Sequence, residues 1–599
     1  MDRLKELIKN NFQGFTFFYR ILRVRVFLVL LVSISIGILD GFGLALFLPL
    51  LQLVGGAKEA SREGMGNLDF LVIYLENWGF MLNLKTILLF LVFFFTLKGI
   101  MLYLGGYYQI LVRLHFLRSL RLKLLTDFNL IQFKKFVTWD IGRVQNIFTS
   151  EIGRITQGFA SYFRTLNQGV LALVYAGFAI LVDPAFAILV VLGGLLSNVL
   201  FSYFYKLSKI ASKNLSANNS LLHGLLTQFI TQFKYLRATG RNLFYSKKLE
   251  DSILSIEYEN RRLGKYAAIL QAGREPIIIL VVASVILIQT DVIGAPLASV
   301  MVSLIFFYRA LTAVNMLQIS WNNYIQLSGS LDNVQVFGEE LQFAKEKKKG
   351  RIHLDGFQDK IKLENIWFYY GNQGVLKNIN LEIPKNQSIA LVGESGSGKT
   401  TLVNLLAALF PPDKGSMTID GKLVSELSLE SYQSRVGFIS QEPVVFNASI
   451  FENVTFWGED TEENKARFYK AMKQASMLDF LEQLPEKEQT LLGNNGINLS
   501  GGQRQRIAIA RELYRDIDIL ILDEATSALD TETERHIQDS IEQLKGHYTL
   551  ITVAHRLSTV KNSDLIVMME KGRIEYIAPF EELIIKSSKF NRMVKLQEI

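Results

Sequence analysis

The sequence predicts a two-part fold: a membrane domain of six transmembrane α-helices, then a cytoplasmic α/β domain. Three observations carry that prediction. The chain has 599 residues, too many for one compact unit. Hydrophobic residues make up 49% of it although 20% is charged, a mixture that fits neither an ordinary soluble enzyme nor a chain buried in lipid throughout. Finally, almost every long apolar run lies before about residue 330, so the mean hydropathy of +0.23 averages two unlike halves. The boundaries expected on this basis are 1–340 for the membrane part with its helical extensions, 341–360 for a linker and 361–599 for the second domain.

Net charge is +8, which raises the question of nucleic acid. The excess Lys and Arg flank the apolar runs instead of forming a stripe, as cytoplasmic loops of membrane proteins require, so a nucleic-acid partner is not expected. The chain has no Cys, which excludes disulfides, zinc ribbons and iron–sulfur clusters.

Crossing a hydrocarbon core takes about 20 apolar residues. Segments of that kind lie near 26–53, 86–112, 159–182, 186–205, 267–289 and 296–319. Arg20, Arg23 and Arg25 before the first could mimic a signal peptide, but no small-x-small cleavage site follows and the apolar run continues to Val54. Basic residues precede the first segment, follow the second and fourth, and precede the fifth, whereas the turns after the third and fifth carry only Asp183, Pro184 and Asp291. Both termini are therefore expected in the cytoplasm.

The connections 113–158 and 206–266 are long and show helical periodicity without turn clusters, so the membrane helices are expected to continue past the bilayer. Between the first two spans, 68–82 places Leu68, Leu71, Val72, Leu75, Trp78 and Leu82 near one helical face. That pattern suits an amphipathic helix on the outer leaflet, or a helix packed over the span ends. Inside the spans stand Asp40, Lys98 and Arg309, and charges there are costly enough to require a reason. One reading pairs Asp40 with Lys98 structurally. The other turns Lys98 and Arg309 toward a cavity that attracts an anionic headgroup.

In the second half, 362–370, 379–383 and 388–392 read as strands. The last runs into Gly393, Glu394, Ser395, Gly396, Ser397, Gly398, Lys399 and Thr400, a full G-x-x-x-x-G-K-[ST] pattern, with a helix expected from Thr401 to Leu409. Such a loop wraps backbone N–H groups around phosphates; Lys399 neutralises their charge, Thr400 ligates Mg²⁺ and the helix dipole adds to the field. The domain is thus expected to be a P-loop NTPase. Farther on, the apolar run 518–522 ends in Asp523 and Glu524. A carboxylate at a buried strand end can hold Mg²⁺, as Asp523 would, and Glu524 can polarise an attacking water.

Leu499, Ser500, Gly501, Gly502 and Gln503 match without mismatch the signature of ATP-binding cassette (ABC) proteins, and 504–513 continues as a helix. Ser500 and the glycines cap that helix and present N–H groups to an anion. Together with the phosphate loop, these residues make the cytoplasmic half resemble an ABC-type nucleotide-binding domain. The resemblance implies ATP and Mg²⁺ as ligands, with the anion being the γ-phosphate of ATP held by a second copy of the chain in a homodimer. It also implies that Tyr370 stacks on adenine, that Gln441 senses Mg²⁺ and has a catalytic role with Glu524, that 527–530, including Asp530, line the dimer interface, and that His555 is the γ-phosphate switch.

One departure is Gly493-Asn494-Asn495-Gly496, where exporters of this family carry a Gly-Glu-x-Gly segment, so cross-talk there is expected through a hydrogen bond in place of an ion pair. Six spans before the cassette resemble the exporter class, and 133–151 resembles its first intracellular connection. In the family's terms this implies an ATP-hydrolysing translocase in a bacterial inner membrane, with membrane lipids around it and an amphipathic cargo. The charged spans and outer helix resemble flippases of lipid A or lipid-linked oligosaccharides. Multidrug or peptide export shares every motif, and an ATP-gated channel is the alternative from another class.

Overall fold

The computed structural model describes residues 17–19, 21–54, 73–74, 77, 83–182, 184–287, 297–346, 350–523, 531–554 and 560–597. The chain divides into two compact units, Met1–Ile131 with Thr138–Lys345, and Gln132–Val137 with Glu346–Ile599. The short segment Gln132–Val137 therefore packs as part of the second unit although it is flanked by the first.

The helices in chain order are α1 (Arg25–Ala45), α2 (Phe47–Val54), α3 (Leu84–Phe128), α4 (Phe133–Phe136, in the second unit), α5 (Ile141–Asn146), α6 (Ile152–Val182), α7 (Pro184–Thr231), α8 (Phe233–Ala238), α9 (Asn242–Leu287) and α10 (Leu297–Ala344). A π turn, Ile147–Glu151, joins α5 to α6. Among the described residues, three helical stretches are long and apolar enough to cross a membrane: Arg25–Ala45, Leu84–Phe128 and Ile141–Leu181. The other three expected spans coincide with parts of α7, α9 and α10, whose side chains lie partly outside the described residues.

The first apolar run differs from the expected single helix. It breaks after Ala45, and the reason is Pro49, which has no N–H to offer the Ala45 carbonyl four residues back and whose ring would clash with it. The expected extensions beyond the bilayer are helical. The 45 residues of α3 measure about 68 Å at 1.5 Å per residue, against about 30 Å of hydrocarbon. Asn83 starts α3 by accepting the Thr86 N–H at 2.9 Å. The expected outer amphipathic helix at 68–82 lies outside the described residues, apart from single positions.

In this unit α10 packs against α6 and α7, α9 against α7, and α1 against α3 and α6. Gly41 makes the α1–α6 approach possible, since a Cβ there would sit 2.1 Å from the Phe178 ring. A buried aromatic group packs α3, α6 and the residues before α1 together, with Phe116 and Phe159 stacked at 4.9 Å and Phe18 edge-on to both. The π turn is fixed by a buried polar cluster. Glu151 accepts from Ser216 Oγ at 2.6 Å and Asn146 Nδ2 at 3.1 Å, and Asn333 Nδ2 donates to Ser216 Oγ at 2.8 Å. These bonds join α5 and the π turn to α7 and α10.

The second unit holds two sheets. One is antiparallel, in the order β2-β1-β4-β5, built from β1 (Lys360–Tyr370), β2 (Gln373–Pro384), β4 (Lys414–Ile419) and β5 (Lys422–Leu423). The other has the order β10-β9-β3-β8-β7-β6, with β3 (Ser388–Val392), β6 (Val436–Ile439), β7 (Ile519–Asp523), β8 (Thr549–Val553), β9 (Leu565–Glu570) and β10 (Arg573–Ala578). Strands β3, β6, β7, β8 and β9 run parallel. Every residue of β3, β7 and β8 is buried, matching their near-continuous apolar sequences.

The strand expected at 379–383 is longer and starts at Gln373, because Gly371, at φ +57°, turns the chain into a hairpin with β1. The helix after the phosphate loop, α11 (Lys399–Leu406), stops short of the expected Leu409. Ala408 takes φ +53°, and Leu409 N–H returns to Asn404 O at 2.9 Å.

Candidate functional site

In a parallel sheet all strands deliver their C-terminal ends to one edge, and ligands of such sheets bind there. Gly393 follows β3 at that edge, Gln441 follows β6, Asp523 ends β7, and Ala554 follows β8. Glu524, Asp530 and His555 lie outside the described residues, while Asp523, the neighbour of Glu524, is buried.

The loop between β3 and α11 adopts the conformation its glycines allow, with φ of +150° at Gly393, +77° at Gly396 and +102° at Gly398. A Cβ on Gly393 would come within 2.2 Å of the Met569 carbonyl, so no other residue fits where the loop rests on β9. Lys399 is buried, and its ammonium donates to Gly393 O at 2.8 Å and Glu394 O at 3.0 Å, which holds it inside the loop. Ser397 Oγ is buried there with no hydrogen-bond partner among the described residues. Glu394, Ser395, Gly396 and Thr400 face solvent, while Thr401 is buried under the first turn of α11. A loop of left-handed glycines at a helix N-terminus, closed by an ammonium, is an anion cradle, and it fits a triphosphate.

The signature segment opens α12 (Gly501–Tyr514). Ser500 Oγ accepts the Gln503 N–H at 3.2 Å, and Gln503 Oε1 accepts the Ser500 N–H at 2.8 Å, a reciprocal capping box. Leu499 is buried beneath it, Gly501 is half-buried and Gly502 is buried. Arg511 fixes the other end of the helix. It donates to Asn453 O at 2.7 Å, Val444 O at 2.8 Å and Asn453 Oδ1 at 2.9 Å, and burial pushes its pKa down. Asn494, in the segment before the signature, is exposed within a short 3₁₀ turn.

Tyr370 is half exposed at the end of β1, stacked edge-on against Phe368 at 5.0 Å and Phe410 at 5.8 Å. The same two rings hold α4. Phe133 packs on Phe410 at 5.6 Å, and the Lys134 ammonium lies 4.4 Å from the centre of Phe368 while pairing with Asp413 at 3.2 Å. The sequence offered no sign of this cluster, because nothing in a local pattern relates Phe133 to Phe410.

In the first unit Lys98 and Asp40 form an ion pair at 2.5 Å, and the Tyr175 hydroxyl donates to the other Asp40 oxygen. Asp40 is 2% exposed, so its charge is compensated as a buried carboxylate requires. Lys98 is therefore engaged, whereas Arg309 is exposed and makes no ion pair among the described residues. Arg164, inside the expected third span, is a further charge that the expectations above do not include. With Arg113, Gln109, Asn167 and Gln168 it lines a cavity of about 320 Å³ between α1, α3 and α6. A charge inside 159–182 was the signal that could have found it.

Comparison with known proteins agrees with this geometry. Residues 376–527 match the family described as "ABC transporter". An ATP-dependent lipid A-core flippase from Ralstonia nicotianae is 42% identical over 255 residues, 42% of this chain and 43% of that one. A flippase of the same name from Hahella chejuensis is 31% identical over 84% of this chain and 86% of its own. A heterocyst differentiation ATP-binding protein from Nostoc sp. is 30% identical over 93% of this chain and 91% of its own. Among solved structures, a bacterial Atm1-family ABC exporter with ATP bound matches in fold, with a TM-score of 0.77 at 20% identity, covering 97% of this chain and 99% of that one.

Proposed function

Because the chain belongs to the ABC transporter family and is an ATP-driven exporter within it, we propose that it acts as a homodimeric flippase that moves an anionic amphipathic lipid, such as a lipid-linked oligosaccharide, out of the inner leaflet. In this reading 1–340 forms six spans with cytoplasmic extensions, 361–599 forms the cassette, and both termini face the cytoplasm at a bacterial inner membrane. ATP lies in the glycine loop of one copy, with Lys399 on its phosphates, Tyr370 on its base, and Ser500 of the other copy at its γ-phosphate. Thr400, Asp523 and Gln441 would hold Mg²⁺, which supplies charge neutralisation when bound. Glu524 polarises the water, and Gln441 and His555 respond to the γ-phosphate.

The cycle requires ATP to favour the closed dimer far more than the open one, by about 10⁴-fold for a nearly complete shift of population. Closure then turns the cavity outward, and loss of phosphate resets it.

The observation that carries the cargo class is the pair Arg113 and Arg164 facing one cavity, with Arg309 as a further exposed cation among the spans. Guanidinium groups favour phosphate through paired hydrogen bonds, and in a wall of low dielectric they attract an anionic headgroup strongly. The lipid A-core flippase names of the relatives point the same way. The test is flipping of fluorescent lipids in proteoliposomes. Arg164→Ala and Arg309→Ala should each lower flipping of a lipid bearing a phosphate or pyrophosphate headgroup about tenfold, the cost of one charge-assisted contact, and leave cargo-free ATP hydrolysis in place. Equal losses for a zwitterionic lipid would sink the anionic reading and favour a drug-like cargo.

A further inference from the structure

The polar cluster at the π turn is short of donors. Glu151 and Asn146 are both 0% exposed. Glu151 Oε1 accepts from Ser216 Oγ at 2.6 Å and from Asn146 Nδ2 at 3.1 Å. Glu151 Oε2 and Asn146 Oδ1 are buried and accept from nothing among the described residues. These two orphan oxygens are neighbours, because the Asn146 amide that carries one of them bonds the carboxylate that carries the other. The amide cannot simply turn over. Its second N–H goes to Ser220 Oγ at 2.9 Å, and a flipped amide would set its oxygen against the carboxylate.

The Glu151 charge is not balanced by contact either. Arg154, a turn farther along the helix, feels that charge but forms no ion pair with it among the described residues. Lys213 is taken by Asp332 at 3.1 Å, and His223 meets Ser150 at 3.2 Å. Two bare oxygens side by side repel each other, and a buried carboxylate without a counter-charge is costly. A cation between the two oxygens removes both costs at once. π turns of this kind are frequent at functional sites.

The donor set indicates which cation fits. One carboxylate balances one positive charge, and a divalent ion would leave an excess near Arg154. The ligands are hard oxygens, which suit an alkali ion. Among the described residues no three His, Cys, Asp or Glu side chains gather as a zinc-like ion requires.

We propose that Glu151 Oε2 and Asn146 Oδ1 bind one monovalent alkali cation, which fastens α5 and the π turn to α7 and α10 through Ser216, Ser220 and Asn333. In the proposed reading these residues lie beyond the bilayer, where such ions are plentiful. The site is independent of which cargo is carried.

The test uses the full detergent-solubilised chain without nucleotide, with sodium as the probe. Radioactive sodium held by the tagged chain should saturate at about one ion per chain and be displaced by unlabelled sodium but not by choline. Replacing choline chloride by sodium chloride at constant ionic strength should raise the melting midpoint by about 2–4 °C. Glu151→Gln keeps the accepting Oε1 and puts an N–H donor beside Asn146 Oδ1, so it should hold no sodium and melt alike in both salts. Asn146→Ser, which withdraws Oδ1, should lower sodium affinity at least about tenfold, and it serves if Glu151→Gln fails to fold. No sodium held by the parent at about 150 mM, the physiological ionic strength, would overturn the proposal. So would the same sodium-dependent shift in Glu151→Gln, which would put the salt effect elsewhere. A midpoint that ignores alkali ions and moves only with pH would put a proton in the gap, and the metal site would fall.

Discussion

Glu524 follows Asp523 directly, and Asp523 ends a strand buried along its whole length. In the proposed reading this carboxylate works on a water beside the γ-phosphate. Replacing it by an amide removes the basic oxygen and keeps the shape, so Glu524→Gln should bind ATP normally and hydrolyse it more than about 100-fold slower, the typical worth of a general base. Steady-state phosphate release measured beside nucleotide retention decides it, and near-normal turnover would remove Glu524 from the catalytic role. Residues of this kind were legible in the sequence because their chemistry is local. The glycines of 393–398 must lie together, since their backbone conformation is itself the function, and Ser500 must stand three residues before Gln503 to close the capping box. The residues that escaped notice act through distant partners. Lys134 and Asp413 are 279 residues apart, and Tyr175 meets Asp40 from 135 residues away. Arg164 is hard to see in the sequence for another reason: one charge hardly lowers the average hydropathy of an apolar helix.

Among the elements, the connection from α3 to α6 departs furthest from what helical periodicity alone would give. It is helical only in part: 129–132 and 137–140 leave the helix, which divides the connection into α4, α5 and a π turn. Asp140 marks one break by capping α5, accepting the Gly142 N–H at 2.8 Å. Gly142 and Gly224 mark another constraint. A Cβ on Gly142 would stand 2.2 Å from the Gly224 Cα, so α5 and α7 touch backbone to backbone. No sequence pattern distinguishes such a glycine from one that merely ends a helix; only the approach of the second backbone does. Gly142→Ala must therefore force α5 away from α7 and strain the Glu151 cluster two turns on. We expect a loss of about 1–3 kcal/mol, the usual cost of overpacking, read as a lower melting midpoint of the detergent-solubilised chain. Gly153→Ala, where a Cβ would meet nothing within 4 Å, is the matched control and should melt like the parent. Equal midpoints for the two variants would show that the contact does not constrain the fold.

At the scale of the whole molecule, the phosphate loop and the signature helix are both complete in one chain, yet the reading above has each nucleotide use the loop of one copy and the signature of the other. The distinction can be tested by complementation, because the two arrangements break differently. Consider a mixed dimer in which one copy carries Lys399→Ala and the other carries Ser500→Arg. If each site were built within a single chain, both sites would be damaged, one through its loop and one through its signature. If the sites are shared, both lesions fall on the same nucleotide and the second site keeps an intact Lys399 and an intact Ser500. Differently tagged copies purified through both tags should therefore occlude about one nucleotide per dimer, and homodimers of either variant close to none, a population effect that follows from RT ln of the lost affinity. Occlusion is the proper readout, since hydrolysis can depend on both sites together even when one binds normally. No occluded nucleotide in the mixed dimer, with full occupancy in the parent, would place each site within its own chain and remove the reason for the cassettes to close on each other.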